Sequence, residues 1–380
     1  MGREVVVYGH VSRASRSSAG QVFLEFSEGN RGAKLTAFIN KKVAAQFERP
    51  PEDTLSDKRI TIRGRLYDYR GKANLRVTSA AHVQEISADW NPPRVNHIAR
   101  PKRNPSVVTI ATYNILNLFD DHDDPYAEDE NTETKPAAAL KALASSIREI
   151  DADVLAVMEV ENRGVLETFN REQLADMKYR EVVLVEGNDG RGIDVALLSR
   201  FPVGPVTTHR HLQNQGAGRG GTSFMRDFLQ VRIDPTPGQE FYVFVTHLKS
   251  QHGDAKTSAS IREGEAALAR RILDRFEQQN PRTPYLVCGD FNDGWDSTTL
   301  RTLRGSVEGQ ALVSFWHELP EADRITYNRS ADGDMIDFIL ASSTMAARYV
   351  AGSYQVRHGD VELTGSDHNP VLAQFRLQPE

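Results

Sequence analysis

The chain has 380 residues, a formal net charge of −6 and a hydrophobic content of 39%. Single hydrophobic cores stop growing at roughly 250 to 300 residues, so this length predicts two domains. No long apolar run occurs, which predicts that no helix spans a membrane, and the N-terminus lacks the apolar region of a signal peptide. We expect a monomer without a targeting segment, and both the cytoplasm and export with a removed signal remain open. Cys288, the only cysteine, excludes an intrachain disulfide and is expected to be a packed strand residue.

Charge is unevenly distributed along the chain. Residues 1–105 carry 19 Lys and Arg against 10 Asp and Glu, a balance of +9, whereas residues 106–380 carry 27 against 42, a balance of −15. A small basic module ahead of an acidic body indicates a polyanion-binding domain joined to a divalent-metal catalytic domain. Charge that serves only solubility is the alternative.

Short strands dominate residues 3–87. Apolar residues alternate there with polar or small ones, the period of half-buried strands, in three groups: Val5 and Val7; Val22, Leu24 and Phe26; Ile60 and Ile62. Residues 41–47 are predicted to form a single short helix. About five strands and one helix resemble an oligonucleotide-binding barrel, and this resemblance implies a nucleic-acid-binding domain at residues 1–88.

One segment of this module combines aromatic and basic residues. It contains Tyr67 and Tyr69 together with Arg63, Arg65, Arg70 and Lys72. Such a set predicts a surface on which bases stack and phosphates are contacted, and an ordinary hairpin with solvated charges is the alternative. The following residues 89–105 contain four prolines and little periodicity, which predicts a linker.

Strands and helices alternate from residue 106 onward. Helices are predicted at 136–150 and around 261–276, and strands at 107–113, 154–158, 182–185, 195–198, 228–233, 241–246, 285–287, 335–340 and 371–375. The mixed order of the elements predicts an α/β fold with two packed sheets and helices outside them.

Polar side chains follow or begin several of these strands. They are Asn114, Glu159, His247, Asp290 with Asn292, Asp337, and Asp367 with His368. A carboxylate and an amide two residues apart can face one pocket, and an adjacent Asp-His pair can bind metal or handle protons. The strand ends therefore predict one phosphoester-hydrolysing site. Glu161 is the alternative to Glu159 as a metal ligand.

This ordered set of residues resembles the endonuclease/exonuclease/phosphatase superfamily, in particular its deoxyribonuclease-like branch. The resemblance covers residues 106–380 and implies a four-layer α/β sandwich and a hydrolase that depends on Mg²⁺ or Mn²⁺. By the family pattern the metal ligands are Asn114, Glu159 and Asp367, and the catalytic residues are His247, Asp290, Asn292, Asp337 and His368. Asp290 would activate the attacking water and Asn292 would hold a phosphoryl oxygen. His368 would contact the scissile phosphate and would be held by Asp367.

Two further residues are assigned to substrate binding. The segment Phe224-Met225-Arg226-Asp227 resembles a deoxyribonuclease segment whose arginine approaches substrate phosphates, so the resemblance assigns that role to Arg226. Asp194 either orients His247 or caps a turn. His209 and His211 are expected to face solvent.

The acidic segment at residues 120–133 is the remaining candidate cation site. It could hold Ca²⁺ as an auxiliary ion, but it lacks the spacing and the glycine of an EF-hand, so a solvated acidic loop is favoured. The sequence thus predicts a metal-dependent nuclease acting on DNA or RNA. The alternatives are a phosphatase or phosphodiesterase acting on small phosphoesters or lipid head groups, and a scaffold without activity, which is disfavoured because every catalytic position is filled.

Overall fold

A computed structural model describes residues 4–27, 35–69, 72–87, 106–122, 127–128, 132–214, 222–305, 311–328 and 334–378. The chain divides into two compact units, Met1–Pro101 and Lys102–Glu380. The linker predicted at residues 89–105 lies outside the described residues, as does part of the acidic segment at 120–133.

Six strands and two short helices form the described part of the first unit. They are β1 (Glu4–Arg16), β2 (Val22–Ser27), β3 (Thr36–Ile39), α1 (Lys41–Ala44), α2 (Pro51–Thr54), β4 (Arg59–Tyr69), β5 (Lys72–Val77) and β6 (Val83–Glu85). The helix predicted at 41–47 is shorter than expected, and the second helix was not predicted. Pro51, in the first turn of α2, suits a helix start because its missing N–H needs no partner there.

The strands of the first unit pair in the order β1-β2-β3-β5-β4, and β1 also pairs with β4, so five strands close into a barrel. β3 and β5 are parallel. The barrel has its own core, which includes Val22, Leu24, Ile39, Ile60 and Leu75. Its assignment to the oligonucleotide-binding class stays a prediction.

The second unit alternates strands and helices over its described residues. Its strands are β7 (Val107–Leu118), β8 (Val154–Val160), β9 (Glu181–Leu184), β10 (Asp194–Ser199), β11 (Val203–Thr207), β12 (Gln213–Asn214), β13 (Thr222–Ser223), β14 (Leu229–Ile233), β15 (Phe241–His247), β16 (Tyr285–Asp290), β17 (Asp337–Ala341), β18 (Gln355–Val356) and β19 (Val371–Arg376). Its helices are α3 (Ala137–Ile150), α4 (Arg163–Gln173), α5 (Ala255–Gln279), α6 (Thr298–Arg304), α7 (Ser343–Ala346) and α8 (Val361–Thr364). None of the described helices is both long and apolar enough to cross a membrane.

Two sheets form the centre of the second unit. One has the order β18-β19-β7-β8-β10-β9 and the other the order β11-β14-β15-β16-β17. Apolar residues from both sheets share one core, in which Met158 and Val195 join Val243 and Ile339. A second cluster joins the first sheet to α3 and α4, and a third joins the other sheet to α5 and α6. The predicted four-layer α/β sandwich is therefore confirmed.

The strand directions bring many polar residues to one edge of this sandwich. β8 runs parallel to β7 and β16 runs parallel to β15, whereas β10 is antiparallel to β8 and β17 to β16. The ends of β7, β8, β15 and β16 therefore meet the beginnings of β10 and β17. Opposite ends of antiparallel neighbours lie at the same edge of a sheet, so residues far apart in sequence become neighbours.

Candidate active site

Asp290, at the end of β16, is the residue around which the site is built. Its Oδ2 accepts a hydrogen bond from Asn114 Nδ2 at 3.1 Å and lies 3.5 Å from His247 Nε2 and 3.8 Å from His368 Nε2. Its Oδ1 accepts the backbone N–H of Asn292 at 2.8 Å. Four of the predicted residues thus converge on one carboxylate, which is almost completely buried.

Strand register aligns three of these residues side by side. His247 is the parallel partner of Asp290, and Asp290 is the antiparallel partner of Asp337. The strands come this close because residue 289 is a glycine: a Cβ there would lie 1.9 Å from the carbonyl oxygen of Thr246. Gly289 is therefore required for the contact between β15 and β16 that forms the site.

His368 is held from two sides. Its Nδ1 lies 2.9 Å from Asp337 Oδ2, and its backbone N–H donates to Ser366 Oγ at 3.1 Å. Ser366 Oγ in turn donates to the carbonyl oxygen of Asn114 at 2.7 Å. The hydroxyl of Ser366 thereby joins the segment before β19 to the end of β7, and Asp337 fixes the ring of His368.

The predicted partner of His368 differs from the observed one. The sequence suggested that the adjacent Asp367 holds the imidazole, but the hydrogen bond is made by Asp337, the first residue of β17. Asp337 reaches the ring because it is the antiparallel register partner of Asp290, so strand pairing places its carboxylate beside the imidazole. Asp367 is itself buried.

Glu159, at the end of β8, lies on the other side of Asn114. Its Oε1 accepts from Asn114 Nδ2 at 3.1 Å, and its Oε2 accepts the backbone N–H of Asn117 at 3.1 Å. Glu159, Asn117 and Leu116 all have positive φ, at 65°, 50° and 52°, and so does Asn292 at 53°. Left-handed backbone at four non-glycine residues around one site costs free energy, which is typical of functional positions.

Glu161, the alternative metal ligand, has a different environment. Its Oε2 accepts the backbone N–H of Asp120 at 2.8 Å, and its Oε1 accepts from Asn162 Nδ2 at 3.2 Å. The geometry therefore favours Glu159, whose carboxylate is the one bonded to Asn114.

Lys135 was not identified from the sequence, yet its ammonium group lies in the same region. Its Nζ donates to the carbonyl oxygen of Leu116 at 2.6 Å. Burial lowers the pKa of Lys135 to about 8, although the nearby carboxylates of Glu159 and Asp367 oppose this shift. A lysine in the loop before α3 carries no sequence signal of its own, because only the fold brings it to the strand ends.

His247 does not make the contact that was expected from Asp194. Its Nδ1 is buried without a hydrogen-bond partner, and Asp194 Oδ1 instead accepts the backbone N–H of Gly187 at 2.6 Å. The turn-capping alternative for Asp194 is the one observed. Burial, with the neighbouring carboxylates of Glu186 and Asp189, raises the pKa of Asp194 to about 8.

Arg226 lies buried beside this region and is paired with Asp189, whose Oδ2 is 2.9 Å from Arg226 Nε. One of its terminal nitrogens, Nη1, has no hydrogen-bond partner. A buried guanidinium nitrogen without an acceptor suits an anionic ligand. The prediction for His209 was wrong: it is buried, with Nδ1 2.7 Å from the carbonyl oxygen of Phe228.

Glu265, on α5, was also missed by the sequence analysis. Its Oε1 accepts the backbone N–H of Met225 at 2.9 Å, and its Oε2 accepts the backbone N–H of Lys249 at 2.7 Å. These bonds fix the residue next to Arg226 and the segment just after His247. Glu265 is completely buried, and burial raises its pKa to about 7.

The central groups have shifted pKa values with separate physical causes. Burial and the adjacent Asp337 carboxylate raise the pKa of Asp290. Burial opposes protonation of His368, but Asp337 and Asp290 outweigh it, so the pKa of His368 lies above its usual range. Burial and the charge of Arg226 hold the pKa of His247 well below its usual range. One histidine is thus cationic and the other neutral near pH 7.

The donor atoms suit a hard divalent cation. Ligand atoms of Asp290, Asp337 and His368 lie within 4.8 Å of one another, a spacing that suits a cation, but His368 offers a ligand nitrogen only when its imidazole is neutral. Asp337 Oδ1 and Asn117 Oδ1 are buried without a hydrogen-bond partner. Oxygen atoms that lack a donor in the protein can be satisfied by a cation, and carboxylate and amide oxygens are ligands that Mg²⁺ prefers.

The model of the endonuclease/exonuclease/phosphatase family matches residues 109–362. The chain belongs to this family. Its members are metal-dependent phosphoric ester hydrolases, so this protein is a phosphoric ester hydrolase too. The match contains every predicted site residue except Asp367 and His368, which follow it by a few positions. Comparison with curated proteins finds no match.

Solved structures share the fold at low sequence identity. The human Nocturnin catalytic domain has 20% identity and a TM-score of 0.50, with 71% of this chain and 94% of that chain covered. An endonuclease/exonuclease/phosphatase from Bacteroides vulgatus has 18% identity and a TM-score of 0.50, with 72% and 100% covered. ANGEL2, described as a 2′,3′-cyclic phosphatase, has 17% identity and a TM-score of 0.50, with 71% and 96% covered.

Proposed function

We propose that this protein is a nuclease that hydrolyses phosphodiester bonds of nucleic acid with Mg²⁺ or Mn²⁺. The observation that carries the proposal is the convergence of Asn114, His247 and His368 on Asp290 Oδ2, within 3.1 to 3.8 Å. A carboxylate with a raised pKa between an amide and two imidazoles can accept a proton from water while the imidazoles face a phosphoryl group.

The roles proposed for Asp290, His368 and His247 rest on their positions in the site and on the direction of their pKa shifts. Asp290 is the base, because burial moves its pKa toward neutrality. His368, cationic and fixed by Asp337, stabilises negative charge on the phosphoryl oxygens. Neutral His247 donates a hydrogen bond to the phosphate.

Asn292 and Arg226 are proposed to hold substrate oxygens, and Asp194 acts through the Gly187 turn that packs against Arg226. A nitrogen without an acceptor on buried Arg226 supports this role. Glu159, with Asn114 and Asp367, would hold the metal. When bound, the ion supplies charge neutralisation at the phosphoryl group and positions it.

Nucleic acid is favoured over a small phosphoester by the charge of the first unit. The balance of +9 in residues 1–105 suits a polyanion, and a tethered binding module raises the local concentration of a long substrate. A small phosphoester would occupy the active site alone, so its hydrolysis would gain nothing from a tethered basic module.

The experiment is an activity panel with Mg²⁺ or Mn²⁺ over single- and double-stranded DNA, RNA, inositol phosphates and sphingomyelin. We expect cleavage of nucleic acid that is lost in His368→Ala. Turnover confined to inositol phosphates or sphingomyelin would contradict the nuclease proposal and favour the phosphatase alternative. Turnover that persists in His368→Ala would contradict the site.

A further inference from the structure

The outer face of the barrel carries a row of side chains that do not belong to its apolar core. Register places Phe23 of β2 beside Phe38 of β3, Phe38 beside Arg76 of β5, and Arg76 beside Arg65 of β4. These four residues, here called the outer row, cross four adjacent strands. They are separated in sequence by up to 53 positions, so only strand pairing reveals the row.

Strand alternation shows which way the outer row faces. Leu24, Ile39, Leu75 and Val77, on the same strands, are completely buried in the barrel core. Successive side chains on a strand point to opposite faces, so the outer row faces away from the core. Among the described residues, neither Phe23 nor Phe38 belongs to the core cluster or to the partly buried residues packed on it.

The two phenyl rings form a pair on this face. Their centroids are 5.6 Å apart and the ring planes are tilted by 58°. Two partly exposed phenylalanines side by side on an outer sheet face cost hydration free energy unless a partner covers them. The barrel thus presents apolar ring surface where an ordinary solvated face would have polar residues.

Positive charge lies directly beside the rings. The guanidinium carbon of Arg76 is 5.1 Å from the centroid of the Tyr67 ring, a cation–π contact. Arg65 and Arg63 are exposed on β4, the strand that also carries Tyr67. The part of this face that the structure describes also holds one acid, Glu25, which is the register partner of Arg13 and Thr36.

Rings and guanidinium groups in one continuous row match the two parts of a nucleotide chain. Bases stack on aromatic rings, and phosphates bind to arginine. Stacking needs bases that are not already paired, because the faces of paired bases are covered within a duplex. The arginine charge of the row disfavours an apolar peptide as the partner. A polyanion without aromatic groups would use the arginines but would leave the phenyl rings uncovered.

We propose that the outer row, with Tyr67, binds single-stranded nucleic acid by stacking bases on Phe23 and Phe38 and pairing phosphates with Arg65 and Arg76. This rests on the proposed function, because it names the strandedness of the nucleic acid that the first unit binds. The row extends the segment predicted from sequence, since Phe23, Phe38 and Arg76 were not part of it.

Binding is measured on the full chain by fluorescence anisotropy, with a labelled single strand and a duplex of about 20 nucleotides, longer than one barrel covers. EDTA prevents cleavage, so catalysis plays no part. We expect tighter binding of the single strand. Phe23→Ala and Phe38→Ala should each weaken it roughly tenfold without changing the salt dependence, because stacking releases no counterions.

The arginines give a different signature. Replacing Arg65 or Arg76 with Ala should lower both the affinity and the slope of log affinity against log salt, by about one unit for each lost phosphate contact. Phe38→Tyr keeps the ring and should bind like the wild type. Lys42→Ala removes an exposed charge from α1, which is not one of the four strands of the row, and is the charge-matched control.

Two outcomes would overturn the proposal. One is wild-type affinity for the single strand in the Phe23→Ala, Phe38→Ala double variant. Circular dichroism checks that this variant is folded, and Phe38→Tyr checks that a replacement which keeps the ring leaves binding intact. The other is equal binding of duplex and single strand. Binding through the row without any cleavage in the metal panel would contradict the nuclease proposal alone, and cleavage without a contribution from the row would contradict this inference alone.

Discussion

Asp290 shows how one buried side chain determines the chemistry of the site. Its two oxygens have different tasks: Oδ1 is bonded to the backbone of Asn292, and Oδ2 faces Asn114 and the two histidines. The hydrogen bond to Oδ1 fixes the carboxylate plane. Oδ2 is then the atom that can take a proton from water.

Asp290→Asn is expected to lower kcat by roughly a hundredfold to ten-thousandfold, because an amide of the same shape cannot accept that proton. The measurement is steady-state hydrolysis of an oligonucleotide with saturating Mg²⁺. Asp296→Asn, at an exposed acid in the loop that follows β16, is the control and should retain activity. If Asp290→Asn turned over at the wild-type rate, Asp290 would not be the base.

Glu159 and Glu161 provide a matched pair for testing the metal site. Mg²⁺ that binds only the folded state raises the melting temperature, and this shift should be lost in Glu159→Gln and retained in Glu161→Gln. Glu161 bonds to the backbone of Asp120, whereas Glu159 bonds to Asn114. Differential scanning fluorimetry over a range of Mg²⁺ concentrations measures the shift of the melting temperature. The reverse result would move the metal to Glu161.

Glu265 makes folding stability depend on pH. Its folded pKa of about 7 lies above its usual value of 4.5, so the folded state binds the proton more tightly. This contribution to stability is present below pH 4.5, declines between pH 4.5 and 7, and is lost above. Over this pH range the contribution of Glu265 to the free energy of unfolding falls by about 3 kcal/mol.

Glu265→Gln should remove this decline. Urea unfolding at pH 5, 6, 7 and 8 measures the free energy of unfolding, and the wild type minus variant difference isolates the contribution of Glu265. Glu263→Gln, at an exposed position of the same helix, should follow the wild type. Parallel curves for wild type and Glu265→Gln would show that Glu265 does not titrate in this range.

The pairing of β15 with β16 is the element on which the site depends most. His247 and Asp290 lie side by side there because Gly289 lets the two strands approach, and pairing of β16 with β17 adds Asp337. α5 supports the same region from outside through Glu265, which bonds to the residue before Arg226 and to the segment just after His247. Strand and helix thus position the site together.

Gly289→Ala is expected to lower the free energy of unfolding by about 3 kcal/mol, because a core strand must shift to remove the clash with Thr246. Activity should fall with it. Gly190→Ala, where a Cβ meets nothing within 4 Å, is the control and should change stability little. Thermal unfolding compares the two, and equal melting temperatures would contradict the requirement for glycine.

The two compact units of the chain have different charges and separate cores. Because each has its own apolar core, removal of one leaves the core of the other intact. The basic unit is proposed to hold a polymer and the acidic unit to cleave it. Under this proposal, covalent linkage of the two units matters for the hydrolysis of long substrates only.

Deletion of residues 1–105 should reduce kcat/KM for a long single strand and weaken its dependence on salt, because the lost unit supplies phosphate contacts. Hydrolysis of a dinucleotide, which the proposal assigns to the second unit alone, should be unchanged. Initial rates over a range of NaCl concentrations measure both. Equal salt dependence with and without residues 1–105 would show that the first unit does not bind the substrate.

The sequence determined the fold class and selected residues that the fold brings together around Asp290. Apolar periodicity located the strands and helices of the second unit, because burial on one or two faces leaves a period in the chain. The polar residues at strand ends could be recognised because Asn114, Glu159 and Asp290 each interrupt an apolar run. Their order along the chain also sufficed to recognise the family.

Tertiary structure alone decided which of these residues touch. Asp337, not Asp367, holds His368, and Asp194 caps a turn instead of orienting His247. Lys135 and Glu265 act through contacts across distant segments, which no local pattern encodes. The same holds for Phe23 and Phe38, whose place beside Arg76 follows from strand register. Local periodicity records which face of an element is buried, but hydrogen-bond partners depend on how the chain brings distant residues together.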